Sequence, residues 1–252
     1  MTDVLYDAFG VDEKGSMLPT KSTPPSSNLA EHAILLYGAS KIGKSTFCSQ
    51  VPDALFLATE PGLASLDVFQ IKIDSWEVLL RACGEIAKGE HKFRTIVIDT
   101  LDNFHKLCAL HIRQKHGIEH ESELGMGKGY GFIKDEMHRV LHKLAYLDYG
   151  LYLIAHSKDK EVTTRTGKIN KTVPSLPEGP ASVALALVDI ILYCDMEMTV
   201  DAQGVATHRR VMRTKPTSQY DAGDRTGRLP ETIDLSYAAF AAAWEGTQGA
   251  NK

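Results

Sequence analysis

Gly38-Ala39-Ser40-Lys41-Ile42-Gly43-Lys44-Ser45 has the spacing G-x-x-x-x-G-K-S, and its reading decides the fold. Two glycines permit a tight bend in which successive backbone N–H groups point inward at phosphate oxygens. Lys44 adds a cation that reaches the β- and γ-phosphates, and the Ser45 hydroxyl is a ligand for Mg²⁺. Thr46 follows in the opening turn of a helix whose positive end faces the same phosphates. The apolar run Ala33–Tyr37 (AILLY) comes just before the loop. Strand, loop and helix in that order is the setting the motif requires. Residues 38–46 are therefore the expected nucleotide-binding segment, with ATP and Mg²⁺ as cofactors.

Working outward, Ala54–Thr59 (ALFLAT) reads as a second buried strand, ending at Glu60-Pro61-Gly62. Residues 74–88 form an amphipathic helix begun by an Asp or Ser cap. Thr95-Ile96-Val97-Ile98-Asp99 is an apolar strand with a carboxylate at its end, and Leu101–His116 is helical. Gly125–Gly131 (GMGKGYG) reads as a glycine-rich loop. Apolar residues from Tyr130 to Leu147 recur at helical spacing, predicting a helix over 130–148 that Gly150 stops. Leu151–Ala155 (LYLIA) is a fourth strand, ending at His156. A polar loop follows over 157–179, then a short helix over 181–187. Residues 188–194 and 205–214 bracket Asp201-Ala202-Gln203-Gly204 as a hairpin. A closing helix covers 234–244.

Strands alternating with helices predict an α/β fold with a mostly parallel twisted sheet flanked by helices and a C-terminal hairpin. Functional groups then gather at the carboxyl ends of the strands. Asp99 is placed to hold Mg²⁺ beside Ser45, with Asp102 as the expected cap of the following helix. Glu60 is a candidate to orient or deprotonate a water at the γ-phosphate. His156 is a candidate γ-phosphate sensor. His105, Cys108 and His111, and the pair His138 and His142, lack the arrangement of a zinc site.

The 252 residues are 43% hydrophobic and 24% charged, with a formal net charge of −4, which excludes a globally basic nucleic-acid coat but not a local basic groove. Cys48, Cys83, Cys108 and Cys194 are scattered, as suits a reducing compartment. No signal-peptide pattern or membrane-length apolar run is present, so the expected location is cytoplasmic. Residues 1–28 read as an arm and linker, in which Leu5, Tyr6 and Phe9 can pack on the body or a neighbouring subunit. Residues 29–245 read as one ATPase domain and 246–252 as a polar tail.

The order of phosphate loop, glutamate after the second strand, strand-end aspartate and polar strand end before a basic stretch resembles the RecA/RadA recombinase core. More narrowly, it is similar to the small RecA-like ATPases of bacteriophages, among them the single-strand annealing proteins of the Sak group. Leu57–Gly62, Ile98–Thr100, Ala155–Lys158, Arg213–Pro216 and Tyr220–Arg225 carry the resemblance. It implies a catalytic role for Glu60 and a sensor role for His156. It implies DNA-binding loops at 157–179, with Lys158, Lys160, Arg165, Lys168 and Lys171, and near 125–131, with Lys128 and Tyr130. Arg213 and Lys215 match a basic pair that reaches into a neighbouring subunit's ATP. The function so implied is an ATP-dependent, single-stranded-DNA-binding annealing or recombination protein of phage type. The resemblance further implies assembly on DNA as a ring or filament, with a single-strand DNA-binding protein as a partner, in a bacterial host's cytoplasm. The missing extra DNA-binding domain and the acidic balance favour annealing over strand exchange. A replication helicase or loader ATPase, or a nucleotide switch acting on protein partners, are the alternative readings.

Overall fold

Four apolar runs form the centre of a parallel sheet because both of their faces are covered. They are β1 (Ala33–Gly38), β2 (Ala54–Ala58), β4 (Thr95–Asp99) and the first part of β5 (Gly150–Thr164). The structure is a computed structural model that describes residues 19, 21–165, 167–200 and 204–246. The other strands are β3 (Phe69–Lys72), β6 (Gly167–Pro174), β7 (Ile190–Val200), β8 (Ala206–Arg213), β9 (Gly223–Asp224) and β10 (Thr232–Asp234). The sheet runs β10-β8-β7-β1-β5-β4-β2-β3. All pairs from β7 to β3 along that path are parallel, while β8 and β10 add an antiparallel edge. The mostly parallel sheet with its C-terminal hairpin is the architecture expected from the sequence. The hairpin's turn at 201–203 lies outside the described residues.

Among the described residues, six α-helices cover the two faces: α1 (Lys44–Ser49), α2 (Trp76–Lys88), α3 (Leu101–His116), α4 (Lys128–Ala145), α5 (Glu178–Leu187) and α6 (Tyr237–Gly246). Strand side chains alternate between two cores. Leu35, Leu57, Ile98 and Leu153 pack with Trp76, Phe104 and Met137 of α2–α4. Ile34, Leu36, Val97 and Ile154 pack with Phe47, Phe240 and Trp244 of α1 and α6. Ser75 caps α2 by accepting from the Val78 N–H, and Gly117, at φ 62°, closes α3. Between α2 and α4, the Trp76 indole N–H donates to Glu136 at 2.9 Å. Arg139 holds the same carboxylate, so its pKa falls to about 2.

Several expectations are corrected. Residues 157–174 are not a loop. β5 continues through His156 to Thr164 and pairs antiparallel with β6 as a two-stranded ribbon. The β-branched residues Val162, Thr163, Thr164, Ile169, Thr172 and Val173, with Gly167 at φ 135° in the turn, favour that ribbon. His156 therefore lies within a strand, where burial gives way to exposure, rather than at its end. Only the first part of the glycine-rich stretch is loop, since α4 already begins at Lys128 and ends at Ala145. Gly150 starts β5 instead of stopping that helix. β3 was not expected, because its exposed residues FQIK carry little apolar signal. The N-terminal segment with Leu5, Tyr6 and Phe9, and the tail from 247, lie outside the described residues.

Candidate nucleotide site

The phosphate loop turns between β1 and α1 with Lys41 at φ 63° and Gly43 at φ 119°, backbone that glycine adopts freely. Gly38 is needed for a different reason: a Cβ there would collide with the Cys194 carbonyl oxygen on β7. Lys44 is buried and donates to the carbonyl oxygens of Gly38 (2.9 Å) and Ala39 (2.8 Å). Burial lowers its pKa. Ser45 donates to Asp99 Oδ2 at 2.7 Å. Burial raises the Asp99 pKa, the nearby Glu60 charge adds to this, and the Ser45 hydrogen bond opposes it.

The end of β2 is tied to the end of β4, and this places Glu60. The Thr59 N–H donates to Asp99 O at 2.8 Å. The Thr59 hydroxyl accepts from the Thr100 N–H and donates to Thr100 O, each at 2.8 Å. Glu60 Oε2 then accepts from Asn103 Nδ2 at 2.6 Å and from the Thr100 hydroxyl at 3.2 Å. His156 Nε2 lies 4.0 Å from the other carboxylate oxygen, Glu60 Oε1. Asp102 is not the cap of α3. Thr100 occupies that position, while Asp102 Oδ2 accepts from the His156 backbone N–H at 2.9 Å. Thr100, Asn103 and the Asp102–His156 contact were not anticipated from the sequence. The available signal was their position on the first turn after a strand-end carboxylate, with Asn103 one helical turn beyond Thr100 on the same side.

Residues Ser40, Lys41, Gly43–Thr46, Glu60–Gly62, Asp99 and His156 thus line one cleft of about 320 Å³. The donor set fits a magnesium–triphosphate ligand. A hydroxyl and a carboxylate stand together as hard oxygen donors, and Lys44 rests on loop carbonyls that phosphate oxygens can replace.

The family model of the AAA domain (AAA_24) matches residues 30–226. The chain belongs to that family. A match also exists to the SPbeta prophage-derived uncharacterized protein YorG of Bacillus subtilis (strain 168), 23% identical over 189 residues. That match covers 72% of this chain and 54% of YorG, so the chain spans about half the length of the curated relative it matches. The matched span contains the phosphate loop, Glu60, Asp99 and His156.

The other expected site residues of this AAA-domain chain lie outside the cleft. Arg213, on β8, is held by Glu197 (2.9 Å) and Asp195 (3.5 Å), and Lys215 lies 3.8 Å from Asp224. On the ribbon, strand alternation divides the cations. Lys158, Lys160 and Lys171 share one face with Val162 and Ile169, whereas Lys168 shares the other with Asp159 and Glu161. Lys160 stands directly opposite Lys171. Each has an ion-pair partner from outside the ribbon, Glu178 at 3.6 Å and Asp221 at 2.6 Å. Lys168 pairs with Glu161 at 2.6 Å, and Lys158 donates to Leu176 O at 2.7 Å. Arg165 is at the ribbon's tip. Lys128 and Tyr130 lie in the first turn of α4, where Tyr130 is half-exposed, beside His120, and not in the core. Among the described residues there is no cluster of three or more His, Cys, Asp or Glu side chains able to hold a metal, and no helix long and apolar enough to cross a membrane.

Proposed function

We propose that this ATPase binds single-stranded DNA through the β5–β6 ribbon and couples that contact to ATP hydrolysis, as a phage-type annealing protein that assembles on DNA. One observation carries the reading. β5 runs without a break from His156, which touches both Asp102 and the neighbourhood of Glu60, to Lys160, four residues on. A displacement of one end of a paired strand is transmitted to the other, because its hydrogen-bonded ladder cannot stretch.

Lys160 opposite Lys171 is a like-charge pair that needs an anion beside it. Glu178 and Asp221 fill that need within the chain. The Lys160–Glu178 pair is exposed and contributes only about 0–1 kcal/mol, so a phosphate backbone can displace it, whereas the closer, partly buried Lys171–Asp221 pair is harder to displace. Arg165 at the tip and the exposed Tyr130 extend the same reading, one as a phosphate contact and the other as a stacking surface.

At the nucleotide, ATP with Mg²⁺ supplies the phosphoanhydride and the charge-neutralising cation. The 38–45 backbone and Lys44 bind the phosphates, and Ser45 with Asp99 fixes the cation. Glu60, held by Asn103 and Thr100, accepts a proton from the attacking water. His156 reports the state of that group along β5. Assembly as a ring or filament, with Arg213 and Lys215 acting on a neighbour, requires both to leave their present carboxylates. The order of motifs and the prophage origin of YorG support the phage setting. A protein-binding switch is the second reading, favoured by the ribbon lysines already having acidic partners.

The test is binding of a fluorescent oligo-dT to native protein and to the double variant Lys160→Glu, Lys171→Glu, with and without ATP. Binding that needs ATP and is lost in the double variant supports the reading. No binding by native protein at low salt contradicts it.

A further inference from the structure

The β7–β8 hairpin rises beside the phosphate loop. Gly38 pairs with Cys194 on β7, and Met196, two residues further on, pairs with Arg210 on β8. Strand alternation puts Arg210, His208, Met196 and Met198 on the face shared with Cys194 and Met212, the face covered by α1. Arg209 and Arg213 take the opposite face and are locked to Glu197, Asp195 and Asp234. Arg210 differs from both. Its side chain is exposed and, among the described residues, makes no hydrogen bond or ion pair. One terminal nitrogen of its guanidinium lies 3.6 Å from the point where a side chain on Gly43 would begin.

A guanidinium against the phosphate loop, with no carboxylate holding it, is free to take up an anion that binds there. Its side of the loop is informative. Asp99, Glu60 and His156 come from β4, β2 and β5, across β1 from the hairpin. A triphosphate whose terminal phosphate faces Asp99 and Glu60 extends its other end away from them. The hairpin side, just beyond the residues that line the cleft, carries Arg210 with the half-exposed Met196 and Met198 on the same face.

The geometry points to Arg210 as a nucleotide-binding residue supplied in cis, holding the part of the nucleotide that is not transferred, with Met196 beside the base. This rests on the ATPase reading. It makes Arg210 distinct from Arg213 and Lys215, which concern a neighbour's site, and from Glu60, which concerns the γ-phosphate. Its contact is retained in ADP. Its loss raises KM and the dissociation constants for ATP and ADP together, and leaves turnover at saturating ATP nearly intact. A guanidinium–phosphate contact at this exposure corresponds to about a tenfold change in affinity.

The experiment measures ATP and ADP binding by calorimetry, and steady-state turnover, for native protein, Arg210→Ala, Arg210→Lys and Lys44→Ala. Arg210→Ala is expected to bind both nucleotides about tenfold more weakly, with Arg210→Lys in between. At subsaturating ATP, an equal mixture of Arg210→Ala and Lys44→Ala chains is expected to turn over no faster than its Arg210→Ala half. Unchanged affinity in Arg210→Ala, a loss confined to ATP, or rescue in the mixture overturns the assignment. If native protein binds neither nucleotide, the ATPase reading itself fails. If Lys44→Ala abolishes binding while Arg210→Ala matches native, only the Arg210 assignment fails. Thermal melting of Arg210→Ala, a surface change, is expected to match native.

Discussion

Ser45 Oγ and Asp99 Oδ2 stand 2.7 Å apart, joining the first turn of α1 to the end of β4. Asp99 is buried, and burial disfavours its charge. A divalent cation held by Ser45 and Asp99 would offset that cost. Asp99→Asn is therefore expected to lose the gain in ATP affinity that Mg²⁺ confers, by about tenfold or more, while binding in EDTA is unchanged. Calorimetry with and without Mg²⁺ checks this. An equal Mg²⁺ response in the variant removes Asp99 from the cation site.

Glu60 is oriented by two donors, Asn103 and Thr100. In the proposed mechanism Glu60 is the general base, a role that contributes about 10²–10⁴-fold. Glu60→Gln keeps the shape and loses the base, so kcat is expected to fall by that order with KM for ATP nearly unchanged. Asn103→Ala leaves the carboxylate present but poorly aimed, and a loss of about tenfold in kcat is expected. If Glu60→Gln turns over as fast as native protein, the base lies elsewhere.

Gly129 sits in the first turn of α4 against the backbone of Glu121, and a Cβ there would overlap that backbone. Backbone cannot rotate away as a side-chain tip can. Gly129→Ala is expected to cost about 1–3 kcal/mol. At about 2–4 °C per kcal/mol for a chain of this size, differential scanning calorimetry resolves the drop in Tm. An unchanged Tm shows that the turn at 121–124 is not packed on α4 as described.

Glu136 links α2 to α4, and its carboxyl is held near pKa 2 by the Arg139 hydrogen bond, with Trp76 adding to it, against an ordinary 4.5. A depressed folded-state pKa stabilises above the unfolded value and is lost as pH falls through the folded one. Glu136→Gln is thus expected to lower Tm at pH 7, with the difference from native narrowing from about pH 4.5 toward 2. A difference independent of pH in that window contradicts the ion-pair account.

The parallel centre was legible because β1, β2 and β4 are apolar on both faces, and such runs need no partner information to be read. Asp99 and Glu60 were legible by their place at strand ends. What escaped was structure written in polar residues. The ribbon hides behind its lysines, since Val162, Ile169 and Val173 are its only large apolar residues and its threonines read as polar. The true roles of Asp102 and Asn103 depend on contacts with His156 and Glu60, more than forty residues away in sequence, which no local pattern encodes. Arg210 looked like one arginine among three on β8. Only the strand register separates it from Arg209 and Arg213.

The most direct test of the central claim is ATP turnover measured with no DNA, with duplex DNA and with single-stranded DNA, at low and moderate salt. Coupling through β5 predicts stimulation by single strands. That stimulation should fade with salt, because each phosphate contact contributes a slope of about −0.7 in log K against log salt for single strands. The double variant Lys160→Glu, Lys171→Glu should keep its basal turnover and lose the stimulation. Turnover indifferent to every DNA, in native protein at low salt, would contradict the account and return the ribbon to a solvated surface.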